Sequence, residues 1–167
     1  RGATCISMKG DEIIQKSEIV IKNNRITDVG ALGTIRIPVG AEIIDLSGKI
    51  IMPGIIDVHA HFKFIPGVIQ AISPAMYANL AYGTTTIRDP QAIPEIFLYS
   101  DLVAAGLTDG PRIYSTGPGL FIIDQLNSYE KIKSRLEIYK NRYKTNYIKS
   151  YLVGNRKQRQ WMIQASK

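Results

Sequence analysis

The stretch Pro53-Gly54-Ile55-Ile56-Asp57-Val58-His59-Ala60-His61 decides how this chain is read. On an extended strand successive side chains point to opposite faces, so Asp57, His59 and His61 share one face and Ile56, Val58 and Ala60 the other. Three polar side chains pack poorly against helices. The apolar set is therefore expected to meet covering helices and the polar set a barrel axis, at the strand's C-terminal end, where barrel enzymes assemble their active sites. Two imidazoles two residues apart can hold one metal ion from one side, each through a neutral ring nitrogen. They are the only two histidines in the chain.

Downstream, β-type runs alternate with helical ones, the pattern of βα units around a parallel sheet. The first strand, IIMPGIIDVHAHF, leads to a helix from about Ser73, with Ser73 as N-cap, Pro74 at the first helical position and Gly83 as its stop. TTTIRD is the second strand, followed by a helix opened by Pro94 and closed near Gly106. RIYST is the third; it ends in Gly117-Pro118-Gly119, and a helix starting near Asn127 or Ser128 carries Ile132, Leu136, Tyr139 and Tyr143 on one stripe. NYIKSYLV reads as the fourth strand, and a basic helix from Asn155 runs to the end. Residues 1–50 read differently, as short β-type runs (EIVIK, RITDVG, EIIDL) broken by turns, with Asn23-Asn24 suited to a two-residue hairpin.

The expected organisation is thus a small antiparallel β unit over residues 1–50, a β-sandwich portion, followed by four βα units over 51–167. An eight-fold α/β barrel of the TIM type needs about 250 residues, and 117 follow position 50. The chain reads as the N-terminal half of such a barrel, to be completed by further sequence or a second copy, because a half-barrel leaves strand edges unpaired. A chain that starts at Arg1 and not at Met is expected to be a piece of something longer.

The stretch PGIIDVHAH resembles the metal-dependent amidohydrolase superfamily, whose first barrel strand carries a proline-glycine, acidic, His-x-His pattern. The flanking KNNRITDVG and IIDLSGKIIMPG are similar to that family's small β domain, and YGTTTIRDP and GPRIYSTGPG to its second and third strands. The likeness is greatest to the imidazolonepropionase-like and prolidase-like branch, some members of which carry a TolB-type β-propeller upstream. By motif position the resemblance implies His59 and His61 as metal ligands. Asp57 corresponds to the acidic position, either as a group supporting the ligands or as one orienting a neighbouring backbone or cationic group. Remaining ligands in the family, two further histidines and an aspartate, come from strands five, six and eight.

Lys149 matches the family's carbamylated lysine. A register placing Ile148 and Leu152 against the helices turns Lys149 toward the axis, where desolvation would free its neutral amine to react with carbon dioxide; the carbamate would bridge two divalent ions. Snorkelling to solvent, or pairing with a carboxylate, is the alternative. Arg88 lies nearer the axis than Asp89, if Thr85 and Ile87 face the helices. It is a candidate for a substrate carboxylate, with a buried structural ion pair as the competing role.

Composition sets outer bounds. With 45% apolar and 21% charged residues the chain is an ordinary globular polypeptide, not a disordered or collagen-like one. Its apolar runs are too short to span a bilayer and no leader is evident, so a soluble protein is expected, cytoplasmic in preference to other compartments. Cys5, the single cysteine, excludes an internal disulfide and thiolate-cluster metal sites. Residues 131–167 hold 11 basic residues and one acidic, Glu137, leaving the rest at −3. A solvated helical face accounts for this better than a nucleic-acid surface, and the aromatics around Trp161 fit packing better than base stacking.

The expected activity is hydrolysis of a C–N bond, in an amide, cyclic amide or dipeptide, using one or two divalent ions, zinc first and manganese or another ion as alternatives. The isolated chain is expected to be nearly inactive. A non-catalytic assembly or regulatory descendant of the fold is the competing class, and a nucleic-acid-binding module a weaker third.

Overall fold

The computed structural model describes residues 1–70, 73–90, 92–120, 125–151 and 154–167. The chain divides into two compact units, Arg1–Pro53 and Gly54–Lys167.

In the first unit, β1 (Ala3–Ile6), β2 (Ile13–Lys22), β3 (Arg25–Ala31) and β4 (Ile50–Ile51) form one sheet in the order β3-β2-β1-β4. The β2–β3 hairpin closes through Asn23 and Asn24, with φ of 51° and 57°. Both central residues of a tight primed turn need positive φ, and asparagine tolerates it best after glycine. Ala3 and Cys5 point inward, and the buried Ser17 hydroxyl donates to the Ala3 carbonyl at 2.9 Å. The sheet is not wholly antiparallel, because β4 pairs parallel with β1, Thr4 opposite Ile50. The expected run EIIDL forms no strand. Two backbone bonds tie it to Arg1, whose amino terminus donates to the Ile44 carbonyl at 2.7 Å and whose carbonyl accepts the Leu46 N–H at 2.8 Å.

In the second unit β5 (Ile55–Asp57), β6 (Thr84–Asp89) and β7 (Arg112–Ser115) lie in chain order, all parallel. Helices α1 (Pro74–Ala81) and α2 (Glu95–Ala104) separate them; α3 (Tyr129–Ile138), continued by a π-helical turn at Tyr139–Tyr143, and α4 (Arg156–Ala165) follow. Local chemistry sets the helix ends. Ser73 is extended before Pro74, and Gly83 at φ 81° ends the helical path. Ser128 accepts the Lys131 N–H, and Asn155 and Gln158 form a reciprocal capping box.

Alternation along β6 and β7 buries Ile87, Asp89, Ile113 and Ser115 on the helix side and leaves Arg88, Arg112 and Tyr114 exposed on the other. Ile87 and Ile113 join Met76, Ile96, Tyr99, Phe62 and Phe64 in one core, where the rings of Phe64 and Tyr99 stack 3.9 Å apart. A second core gathers Leu120, Leu126, Ile132, Leu136, Tyr139 and Met162, with the half-buried Tyr143 and Trp161 packed against it. The expected stripe on α3 is therefore a packing stripe.

Among the described residues the fourth expected strand shows one parallel bridge, Leu120 with Ser150; residues 152 and 153 lie outside them. A left-handed Lys144 (φ 49°) and a Thr145 hydroxyl that accepts the Tyr147 N–H turn the chain at the start of NYIKSYLV. Leu152, on which the expected register of Lys149 rested, lies outside the described residues. Among the described residues no helix is long and apolar enough to cross a membrane.

Candidate metal centre at the end of the first parallel strand

Gly54 brings β5 against β6. A Cβ on this residue would sit 2.0 Å from the Thr85 hydroxyl oxygen, so no side chain fits there. Pairing then runs Ile56 with Thr86 and Asp57 with Ile87. The strand stops at Asp57, whose Oδ1 accepts the His59 N–H at 2.9 Å and folds Val58 and His59 into a turn. A short acidic side chain that bonds the backbone two residues on competes directly with the ladder. The unbroken alternation expected across residues 57, 59 and 61 therefore ends at Asp57.

Beyond the turn the segment is placed by its neighbour. Ala60 N–H donates to the Arg88 carbonyl at 3.1 Å, Phe62 and Phe64 are buried, and Ala60 packs on the same core. His59 and His61 point the other way and are exposed. Their ring centroids are 5.0 Å apart, edge to face at 78°. Asp89, fully buried at the end of β6, lies behind them: its Oδ2 accepts the Phe62 N–H at 3.1 Å, and its Oδ1 is 3.3 Å from His61 Nδ1. The same residue's carbonyl accepts the Thr116 N–H at 3.1 Å, which links this corner to the loop after β7.

The other expected site residues lie beside tyrosines. The exposed Arg88 guanidinium stands 4.8 Å over the Tyr147 ring, and the half-buried Lys149 ammonium 5.4 Å from that of Tyr151. Lys149 is held through its backbone, its carbonyl accepting the Leu120 N–H at 2.9 Å. No described contact joins Lys149 to His59, His61 or Asp57. The structure thus brings the two histidines together, adds Asp57 through the backbone of their turn, and groups Arg88 and Lys149 with tyrosines.

Among the described residues no three His, Cys, Asp or Glu side chains are arranged to hold a metal ion. The donor set nevertheless fits part of one. Two adjacent, solvent-facing imidazoles are borderline donors suited to zinc, and a carboxylate beside the Nδ1 of one is the usual outer partner of a ligating histidine. A closed tetrahedral sphere needs two donors more. Asp89 is the residue the sequence reading passed over. Its signal was present: it has the parity of Ile87 in TTTIRD, which puts a carboxylate on the buried side at a strand's C-terminal end.

No protein-family model matches the chain. Among curated proteins, an adenine deaminase of Thermosipho africanus is 35% identical over 86 residues, covering 50% of this chain and 13% of the relative. An imidazolonepropionase of Rhizobium rhizogenes is 41% identical over 59 residues, covering 35% and 14%. The chain thus spans only a small part of the length of the curated relatives it matches. Among solved structures, one described as an amidohydrolase has 28% identity and a TM-score of 0.58, covering 72% of this chain and 31% of that one. A Xaa-Pro dipeptidase structure, at 18% identity a likeness of fold alone, has a TM-score of 0.69 and covers 99% of this chain and 52% of its own. With His-x-His at the end of the first parallel strand, these likenesses support reading the chain as similar to a fragment of the amidohydrolase superfamily.

Proposed function

We propose that this chain is the N-terminal half of a (β/α)8-barrel hydrolase, and that the whole protein cleaves the C–N bond of an amide or cyclic amide at a divalent metal centre. The observation that carries the reading is the paired, solvent-facing His59 and His61 at the C-terminal end of the first of three parallel strands, with the Asp89 carboxylate behind His61. The names of the relatives, a deaminase and an imidazolonepropionase, support the bond class.

His59 and His61 would supply two imidazole donors, and Lys149, as a carbamate, an anionic one. A bound divalent ion supplies a Lewis acid and lowers the pKa of a coordinated water toward neutrality. Zinc is the first choice, with manganese or another divalent ion as an alternative. Asp57 holds the turn that presents the pair, through its bond to the His59 N–H. Arg88, exposed on the open face of the sheet with its planar donor fork, suits a substrate carboxylate. Since the described residues offer too few donors for a closed sphere, the chain alone is expected to turn over negligibly.

The test is metal content by mass spectrometry on the full-length protein that carries this chain, as wild type and as His59→Ala/His61→Ala. Metal bound by the wild type and lost in the double variant is the expected result. A wild type that stays metal-free after loading with zinc or manganese in the presence of bicarbonate would reject the hydrolase reading in favour of a non-catalytic descendant of the fold.

A further inference from the structure

We infer that Asp89 is a positioning residue for His61: its carboxylate keeps the imidazole proton on Nδ1 and so presents Nε2, as a lone pair, to the metal. The inference rests on the metal-centre reading proposed for the whole protein. It starts from the Asp89 carboxylate, fully buried at this corner of the sheet. Burying an ionisable oxygen is costly unless it is satisfied, and the described partners of the Asp89 carboxylate are both in the ligand segment. Oδ2 takes the backbone N–H of Phe62, the residue after His61, and Oδ1 lies 3.3 Å from the His61 ring at Nδ1. One rigid side chain thus fixes the backbone beside the ligand and the ring of the ligand.

The sidedness decides the chemistry. A neutral imidazole carries its proton on one nitrogen only, and an acceptor at Nδ1 selects the Nδ1–H tautomer. That leaves Nε2 unprotonated on the edge of the ring away from Asp89, in a side chain that is 49% exposed. His59 has a different arrangement: its described tie is through its backbone N–H to Asp57. The two histidines are therefore not equivalent, and the one held by its ring is His61. The β6 backbone reinforces the placement, because the Arg88 carbonyl takes the Ala60 N–H and the Asp89 carbonyl the Thr116 N–H.

Asp89→Asn tests this in the full-length protein. Asparagine keeps the shape and an oxygen for the Phe62 N–H, but turns an N–H2 donor toward Nδ1, which favours the Nε2–H tautomer. Two readouts are taken. The first is the tautomer of His61 in the metal-free protein, from long-range ¹H–¹⁵N correlation spectra; the second is zinc affinity by competition with a chromophoric chelator. Expected are an Nδ1–H ring in the wild type, an Nε2–H ring in Asp89→Asn, and zinc affinity lowered about 10–100-fold with the thermal midpoint of the metal-free protein little changed.

An Nε2–H ring in the wild type overturns the inference without any variant, and so decides it even if Asp89→Asn does not fold. Unchanged zinc affinity in a folded Asp89→Asn also overturns it, while the metal reading stands if His59→Ala/His61→Ala loses the ion. Failure of the wild type to bind zinc rejects the metal reading and, with it, the role of Nε2 as a metal donor.

Discussion

Tyr99 is the point at which the histidine segment is tied to the helical layer, and its substitution gives a graded test of the architecture. The side chain is 1% exposed; its ring stacks on Phe64 at 3.9 Å and 12°, and its hydroxyl accepts the Gln70 N–H at 2.7 Å. A buried aromatic removes about 150–250 Å² from water, which at about 25 cal/mol per Å² is an upper limit of roughly 4–6 kcal/mol. Truncation of such rings costs about 3–5 kcal/mol. Tyr99→Ala is therefore expected to lose about 3–5 kcal/mol, and Tyr99→Phe, which keeps the stack and removes only the hydroxyl, about 1 kcal/mol. The assay is urea unfolding followed by far-UV circular dichroism with linear extrapolation. Phe64→Ala should then add little to Tyr99→Ala, since each variant already breaks the shared stack. Tyr99→Ala costing less than about 1 kcal/mol, or no more than Tyr99→Phe, would refute the claim that α2 anchors the segment carrying His59 and His61.

Two local predictions follow from the helix ends. Asn155→Ala removes the side chain that caps α4 at Gln158 N–H and should cost about 0.5–2 kcal/mol by urea unfolding, whereas Asn155→Asp should retain most of the stability. Glu95 at the start of α2 accepts the Gly67 N–H at 2.9 Å, and this bond, with that of its own amide, holds its carboxyl below the ordinary 4.5. A depressed carboxylate stabilises the fold above its unfolded pKa and loses that contribution as pH falls through the folded value. The gap in urea midpoint between wild type and Glu95→Gln should thus be present at pH 7 and shrink below about pH 4.5; a gap that persists at pH 3 would count against the charge as its cause.

What was legible in the sequence was mostly local. The Asn23-Asn24 turn, Pro74 after Ser73, and the helix starts at Ser128 and Asn155 are read from residues within four positions of each other, and the structure forms each of them. The stripe of Ile132, Leu136 and Tyr139 follows from helical period alone. The features that escaped depend on distant partners. EIIDL has strand-like composition, yet a strand needs a neighbour's ladder, and its backbone finds isolated bonds to Arg1 in place of one. Asp89 escaped because its partner amide, Phe62, is 27 residues away. The comparisons support the family expectation drawn from PGIIDVHAH, which no periodicity could have supplied.

The histidine pair lies on one side of its segment for a cause other than the expected strand alternation. Alternation along an unbroken strand was to put residues 57, 59 and 61 on one face, but the ladder ends at Asp57, and Asp57 is in register with the inward-facing Ile87. The phase is re-established after the turn by burial. Ala60, Phe62 and Phe64 are the residues at alternate positions that enter the core, so His59, His61 and Lys63 are left outside it. Their sidedness is thus held by hydrophobic packing on α2 and by two bonds from the end of β6, those of the Arg88 carbonyl and the Asp89 carboxylate, and not by strand pairing of β5. The energetic consequence is that the geometry of the histidine pair depends on contacts remote in sequence. Mutations at Tyr99 or Asp89 reach the histidines more directly than mutations at Ile55 or Ile56, whose side chains are exposed by 52% and 62%.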